Sequence, residues 1–259
     1  MEGLSRHISI ELNGSDFALL DPLLILQTVD EQSVKSRATT QTILGRDGAS
    51  VSQLRRDQLD IKIEFAIRSK DPETRIDVMH KVNAWAQGGG ILTTSYRPGY
   101  WLYVLPSVMP SISDVRKWTG NLSFTLTAYS WPYWQSSNHV SFDFPASQAS
   151  GDGSWQIWDT MGQLPVEFAI TPSGVMSSFT VTVNGKSISL TGLNTSRSIT
   201  LEYTVDQHLQ RIIGSTGSLL RHRAAESADE LLAGPGANTV SYSASCPCTV
   251  QLRVRRMQT

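Results

Sequence analysis

The sequence predicts a mainly β protein with one helix, built as an α+β body followed by an antiparallel β-sandwich. Three observations carry that reading. Apolar residues alternate at period two through many short stretches, and a single stretch follows the 3.6 period with signals at both ends. The punctuation then changes after an aromatic-proline cluster, from well-spaced strands to short ones separated by Gly, Ser, Asn and Thr. That cluster, Tyr129-Ser130-Trp131-Pro132-Tyr133-Trp134, follows a strand over residues 121–128. Leu122, Phe124, Leu126 and Ala128 take one face of the strand and Ser123, Thr125 and Thr127 the other. Pro132 has no N–H for a ladder, and Gln135-Ser136-Ser137-Asn138 reads as a polar connector. The boundary is set there, giving domains 1–134 and 135–259; the alternative is one domain whose strand meets an ordinary aromatic loop.

A chain of 259 residues, 40% hydrophobic and 17% charged, buries a core without disulfides or metal. Its net charge of -1 argues against a broad cationic surface made to neutralise nucleic-acid phosphates. The first residues show no basic stretch leading into an apolar one, so no secretion signal is read and folding in the cytoplasm is expected. The apolar stretch 17–26 is interrupted by Asp21-Pro22 and is too short to span a bilayer. No membrane insertion is expected.

In chain order, the first domain opens with a strand over 7–12, Ile8, Ile10 and Leu12 pointing inward, and turns at Asn13-Gly14. Residues 23–29 and 39–44 read as further strands, and 45–57 as a charged loop without apolar period, anchored by Val51 and Leu54. Residues 59–67 alternate most strongly, with Leu59, Ile61, Ile63, Phe65 and Ile67 on one face. The helix starts at a cap, Asp71, with Pro72 first and Glu73 in the first turn. Ile76, Met79, Val82 and Ala86 form its expected buried stripe, flanked by Val78 and Trp85, and Gly88-Gly89-Gly90 ends it. Strands over 91–96 and 101–108 follow, joined through Arg97-Pro98-Gly99.

The second domain reads as at least six short strands, the pattern of a sandwich. Val140, Phe142 and Phe144 alternate, Trp155 and Trp158 flank a strand, and 166–170 makes another. Residues 179–183 and 187–190 form a hairpin about Asn184-Gly185. Strands over 198–205 and 249–255 complete the set, and 227–232 hints at a helical turn.

Chemistry is sparse. His7, His80, His139, His208 and His222 show no metal-pair spacing, and no nucleophile elbow, zinc-protease motif, P-loop or dinucleotide fingerprint occurs. No enzyme activity and no cofactor are expected. Cys246-Pro247-Cys248 lacks the spacing of a redox motif and the companions of a zinc site, so both thiols are expected reduced, metal-free and packed as small apolar groups. Trp155 and Trp158 are candidates for a sugar-stacking platform, against the plainer reading of core or interface aromatics. Arg221-His222-Arg223 and Arg253-Val254-Arg255-Arg256 are basic runs too short for nucleic-acid readout.

Taken together, Gly45-Arg46-Asp47-Gly48, the strand Leu59-Asp60-Ile61-Lys62-Ile63-Glu64-Phe65, the single helix and the aromatic-proline seam resemble the N-terminal belt domain of siphophage distal tail proteins. The Asn184-Gly185 hairpin, the strand over 199–205 and above all Leu231-Leu232-Ala233-Gly234-Pro235-Gly236-Ala237-Asn238-Thr239-Val240 resemble that family's galectin-like sandwich. The resemblance implies a structural virion protein at the distal end of the tail, assembled in the host cytoplasm. It implies a homohexameric ring, closed by belt domains, that joins tail tube to tip and lets DNA pass through its channel. Implied partners are the tube protein, the tape-measure protein and a tip, receptor-binding or tail-associated lysin protein. The family-like pattern ends in Arg253-Val254-Arg255-Arg256-Met257 rather than clearly in an aromatic, and no added carbohydrate module is visible. A galectin-like fold does not by itself grant sugar binding. The other functions weighed are a carbohydrate-binding tail-tip protein acting in host adsorption and a tail-tip hydrolase.

Overall fold

The computed structural model describes residues 8–32, 34, 36–42, 49–113, 118–129, 132–144, 147–158, 164–204 and 210–258, with the backbone alone for 36–42, 49–56 and 258. The chain divides into two compact units, Met1–Trp134 and Gln135–Gln258.

The first unit runs β1 (Ile10–Leu12), β2 (Ser15–Asp16), β3 (Leu24–Glu31), β4 (Ser36–Thr42), β5 (Ala49–Arg56), β6 (Leu59–Arg68), α1 (Pro72–Ala86), β7 (Gly90–Thr94), β8 (Tyr100–Ser113) and β9 (Thr119–Ala128). Four of these strands form an antiparallel sheet ordered β3–β6–β9–β8. The start of β8 instead pairs with β7, which carries β1 on its other side. Asn13 and Gly14 adopt φ of 54° and 75°, the turn their dipeptide favours. Ile8 lies outside β1 and is exposed, because only residues from Ile10 onward find a ladder partner in β7.

Strict alternation puts Leu59, Ile61, Ile63, Phe65 and Ile67 of β6 in one core with Leu122, Phe124 and Leu126 of β9 and with Val78, Val82 and Ala86 of the helix. Asp71 accepts the backbone N–H groups of Glu73 and Thr74 at 3.4 and 3.0 Å, and Thr74 Oγ1 donates to it at 2.6 Å. The hydroxyl of Thr74 is the largest reason its carboxyl titrates below the usual carboxylate range. The buried helix face is Arg75, Val78, Val82 and Ala86: Val82 and Ala86 of the expected stripe and the flanking Val78 are buried, whereas Ile76 and Met79 are not. Arg75 occupies an apolar position because its stem can pack while its guanidinium reaches out to Thr119 O and Lys70 O at 3.5 and 3.4 Å. Ile76 is 46% exposed and Met79 half-buried. Ile76→Ala is therefore expected to change unfolding free energy by no more than about 0.5 kcal/mol; urea denaturation checks this, and a larger loss would return Ile76 to the core.

Gly89 and Gly90 end the helix with φ of 58° and 133°. A Cβ on Gly90 would lie 2.0 Å from Asn13 Oδ1, and the Asn13 side chain bonds both Gly89 O and Ile91 N–H at 2.9 Å. The turn after β1 and the end of the helix are thus fastened to each other.

β4 and β5 pair with each other and, among the described residues, with nothing else. β5 lies within the span read as a charged loop. Its ladder was invisible to apolar periodicity because the hairpin has a bulge at Thr39/Thr40, and Val51 and Leu54 do not share one parity. Residues 45–48 of that span, and 43–44 of the strand expected before it, lie outside the described residues.

Apart from the first residue of β10, the second unit comprises β10 (Trp134–Asp143), β11 (Gln148–Ile157), β12 (Leu164–Pro172), β13 (Met176–Val183), β14 (Lys186–Thr195), β15 (Ile199–Tyr203), β16 (Gln210–Gly214), β17 (Gly217–Ser218), β18 (Leu232–Ala233) and β19 (Gly236–Gln258). One sheet is ordered β14–β13–β19–β11 and the other β10–β19–β12–β15–β16–β17. β19 serves both: its residues 237–244 pair with β11 and β13, and its residues 248–254 with β12. The inner faces meet through Phe168 of β12 and Phe179 of β13, ring centroids 5.6 Å apart, and through Phe144 and Tyr242 at 4.6 Å. This is an antiparallel sandwich, joined to the α+β unit in a mainly β chain with one α-helix among the described residues.

Three local expectations are corrected here. The polar connector 135–138 is strand, with Gln135 3% and Ser136 6% exposed, so polarity hid a buried ladder. The last strand begins at Gly236 and not near 249. Residues 227–232 form no helical turn; Ser189 N–H donates to Ser227 Oγ at 3.0 Å and Ala228 N–H to Ser187 O at 2.8 Å, which ties the segment along β14. The short helical turn lies earlier, at Leu220–His222. Among the described residues no helix is long and apolar enough to cross a membrane.

Candidate functional site

With its apolar set turned to the helix, the β3–β6–β9–β8 sheet shows a polar opposite face. Its register sets Thr28 beside Glu64, Asp30 beside Lys62, Lys62 beside Thr125, and Asp60 beside Thr127. Lys62 Nζ lies 2.7 Å from Glu64, Thr28 donates to Glu64 at 3.1 Å, and Thr127 donates to Asp60 at 2.6 Å. Glu64 raises the Lys62 pKa, and Lys62, followed by Thr28, lowers that of Glu64. Both groups stay charged across the neutral range. A pair this exposed adds little to stability, so its effect is to keep the face hydrated.

Two other surfaces of this unit stand apart from that face. Among the described residues β3 has a ladder on one side only, and beside its outer edge lies an open groove of about 550 Å³ lined by Ile8, Phe17, Leu24, Leu26 and Val29. On β8, Leu105, Val108 and Met109 are exposed. An unpaired strand edge and an apolar row on different strands are the features a head-to-tail self-contact uses.

The aromatic seam is anchored within the first unit. Glu31 Oε1 accepts from Trp134 Nε1 at 2.8 Å and from Arg97 at 2.9 Å, and Tyr96 meets the fully buried Trp134 edge-on at 6.2 Å. Burial raises the Tyr96 pKa. Ser130 and Trp131 lie outside the described residues.

In the second unit the two candidate tryptophans part company. Trp155 is 5% exposed and tilts against Phe142 at 6.4 Å, whereas Trp158 is 74% exposed and donates to Gln156 Oε1 at 3.1 Å. They do not share one exposed surface. Cys246 and Cys248 are free thiols, and burial pushes Cys248 up to about 11. The described residues contain no group of three or more His, Cys, Asp or Glu placed to hold a metal. The basic runs are internally engaged: Arg223 donates to Ala228 O at 2.7 Å and Asp229 at 3.1 Å, and Arg253 to Gln251 at 2.6 Å. Arg255 donates to His139 Nε2 at 3.0 Å, and His139 lies 3.3 Å from Glu167. Burial, then the neighbouring Arg255, lowers the His139 pKa. His7 and His208 lie outside the described residues. Sequence reasoning missed the buried amide of Asn238, although its Gly236-Ala237-Asn238 stretch had stood out.

No family model and no curated relative matches the sequence. Solved structures do match. Over 96% of this chain and 98% of the other, with 15% identity and a TM-score of 0.71, it is similar to the SPP1 Dit protein, described as a paradigm of the hub adsorption apparatus in phages infecting Gram-positive bacteria. The chain has the fold of the SPP1 Dit protein. A second likeness is to a chain of the phage P2 baseplate in its activated conformation with calcium, at 9% identity and a TM-score of 0.51 over 96% of this chain and 97% of that one. In both cases the fold is matched along nearly the whole of each chain, through the α+β unit and the sandwich alike.

Proposed function

We propose that this protein is a non-enzymatic structural component of a siphophage tail, a distal hub whose hexameric ring joins the tail tube to the tip and lets DNA pass through its channel. The observation that carries the reading is the end-to-end fold likeness to SPP1 Dit, which spans both units. The first unit, 1–134, forms the ring. Its open β3 edge and the exposed Leu105, Val108 and Met109 supply two different self-contact patches, and the hydrated Asp60, Lys62, Glu64 face suits a water-filled channel wall. The second unit, 135–259, is a galectin-like sandwich. The tube, tape-measure and tip or receptor-binding proteins, or a tail-associated lysin, are its neighbours, and DNA is met only in transit.

Negative-stain images of the purified full-length protein, with light scattering, test this: six-fold rings are expected, and a monodisperse monomer would overturn the reading. The competing role, sugar binding at the tail tip, draws on the exposed Trp158. We expect the sandwich to bind no simple sugar, since Trp155 is buried and adds no second stacking face. Glycan-array binding that disappears in Trp158→Ala would favour adsorption instead.

A further inference from the structure

We infer that the outer edge of β11 is a strand-addition site, at which an extended cationic segment of another tail protein pairs with residues 148–157. The inference rests on the hub reading above. Among the described residues β11 pairs only with β19, so one side of a strand of 10 residues carries no ladder partner among them. In an antiparallel ladder alternate residues bond to the neighbour, and the remainder point away from it.

The opposite edge of the same sheet is closed. Beyond β14, Ala224 N–H donates to Ser189 O at 2.9 Å, Ala228 N–H to Ser187 O at 2.8 Å, and Leu190 bridges Arg223. Edges that are left open are commonly guarded by lysine, proline or a mid-strand bulge. β11 has no Lys, Arg or Pro, its one irregularity is at its start between Gln148 and Ser150, and its one charge is Asp152. An open groove of about 530 Å³ runs beside it, lined by Phe144, Gln148, Ser150, Asp152, Ser241 and Tyr242. Gly151 and Gly153 let aromatic rings reach this rim, since a Cβ on either would stand 2.7 Å from Tyr242 or Phe142. The edge is therefore backed by packed side chains up to its outermost strand.

Charge selects the occupant. A second copy paired edge to edge about a two-fold axis through residue 152 would bring Asp152 against its own image, and like charges opposed across a ladder destabilise it. A different strand with Lys or Arg opposite Asp152 meets an opposite charge. The backbone supplies affinity along the edge, and Asp152 sets register and partner sign.

Hydrogen exchange on the full-length protein, free and within purified tails of the phage that encodes it, tests this. In the free protein the outward amides of 148–157 should exchange fast, and in tails they should slow by roughly tenfold or more. Asp152→Lys, a change at an exposed side chain, should leave the free protein folded and abolish the protection in tails. Unchanged exchange of 148–157 in tails that contain the protein overturns strand addition while the hub reading stands. Protection already present in a self-associated free protein makes the occupant a second copy and also overturns it. Absence of the protein from tails removes the hub reading and this inference with it.

Discussion

Asn238→Ala is expected to cost about 2–5 kcal/mol of unfolding free energy, although it removes only a small polar side chain. Asn238 is 1% exposed. Its Oδ1 accepts from Gly234 N–H at 2.8 Å and from Asn184 Nδ2 at 2.9 Å; its Nδ2 donates to Gly234 O at 2.9 Å, Gly236 O at 3.1 Å and Trp155 O at 3.5 Å. Alanine leaves these groups without that partner, the carbonyl of the buried Trp155 among them, and an orphaned buried donor or acceptor costs about 1–3 kcal/mol where water cannot replace the bond. Asn184 extends the damage, because its side chain also holds Thr239 N–H at 3.0 Å and Leu232 O at 3.1 Å. Urea denaturation of the full-length protein measures the loss. Asn238→Asp keeps the volume but removes the amide donors and buries a charge, so it should also destabilise. An Asn238→Ala midpoint equal to the parent's would mean that the motif is ornamental to folding.

Phe65→Ala should cost about 3–5 kcal/mol, the range for emptying a large aromatic site in a packed core. Phe65 is fully buried, with Phe17 at 5.0 Å and Phe124 at 5.8 Å between ring centroids, and Trp85 of the helix closes edge-on over Phe124 at 6.2 Å. β6 is paired on both sides, so collapse around the cavity is resisted by two ladders. Thermal unfolding should show a lowered transition, and images of the same variant should show fewer rings under the hub reading. A parental melting temperature would place Phe65 outside the load of the core.

What could be read in advance followed the contrast between faces. β6 and β9 were legible because each sets apolar residues against charges and hydroxyls, and α1 because its cap and stop are chemically distinct at both ends. The helix face was misread because Arg75 takes a core position that a hydrophobicity pattern denies it. β5, the start of β10 and the first half of β19 were missed because their residues are polar and their ladders have no simple apolar period. The sites that matter most were the least legible: Trp134 and Glu31 are 103 residues apart, and Asn238 and Trp155 are separated by 83. A motif such as Gly236-Ala237-Asn238 marks a position as unusual, but only the fold supplies the carbonyls that its amide satisfies.

β19 is 23 residues long and belongs to both sheets. Tension applied along that strand would not peel bonds one after another, as it does when a hairpin is pulled apart at its end. It would have to slide the strand past β11 and β13 in one layer and past β12 in the other, rupturing many parallel-loaded hydrogen bonds together. The second unit is thereby built with a mechanical spine, and its resistance to stretching should depend sharply on the direction of pull.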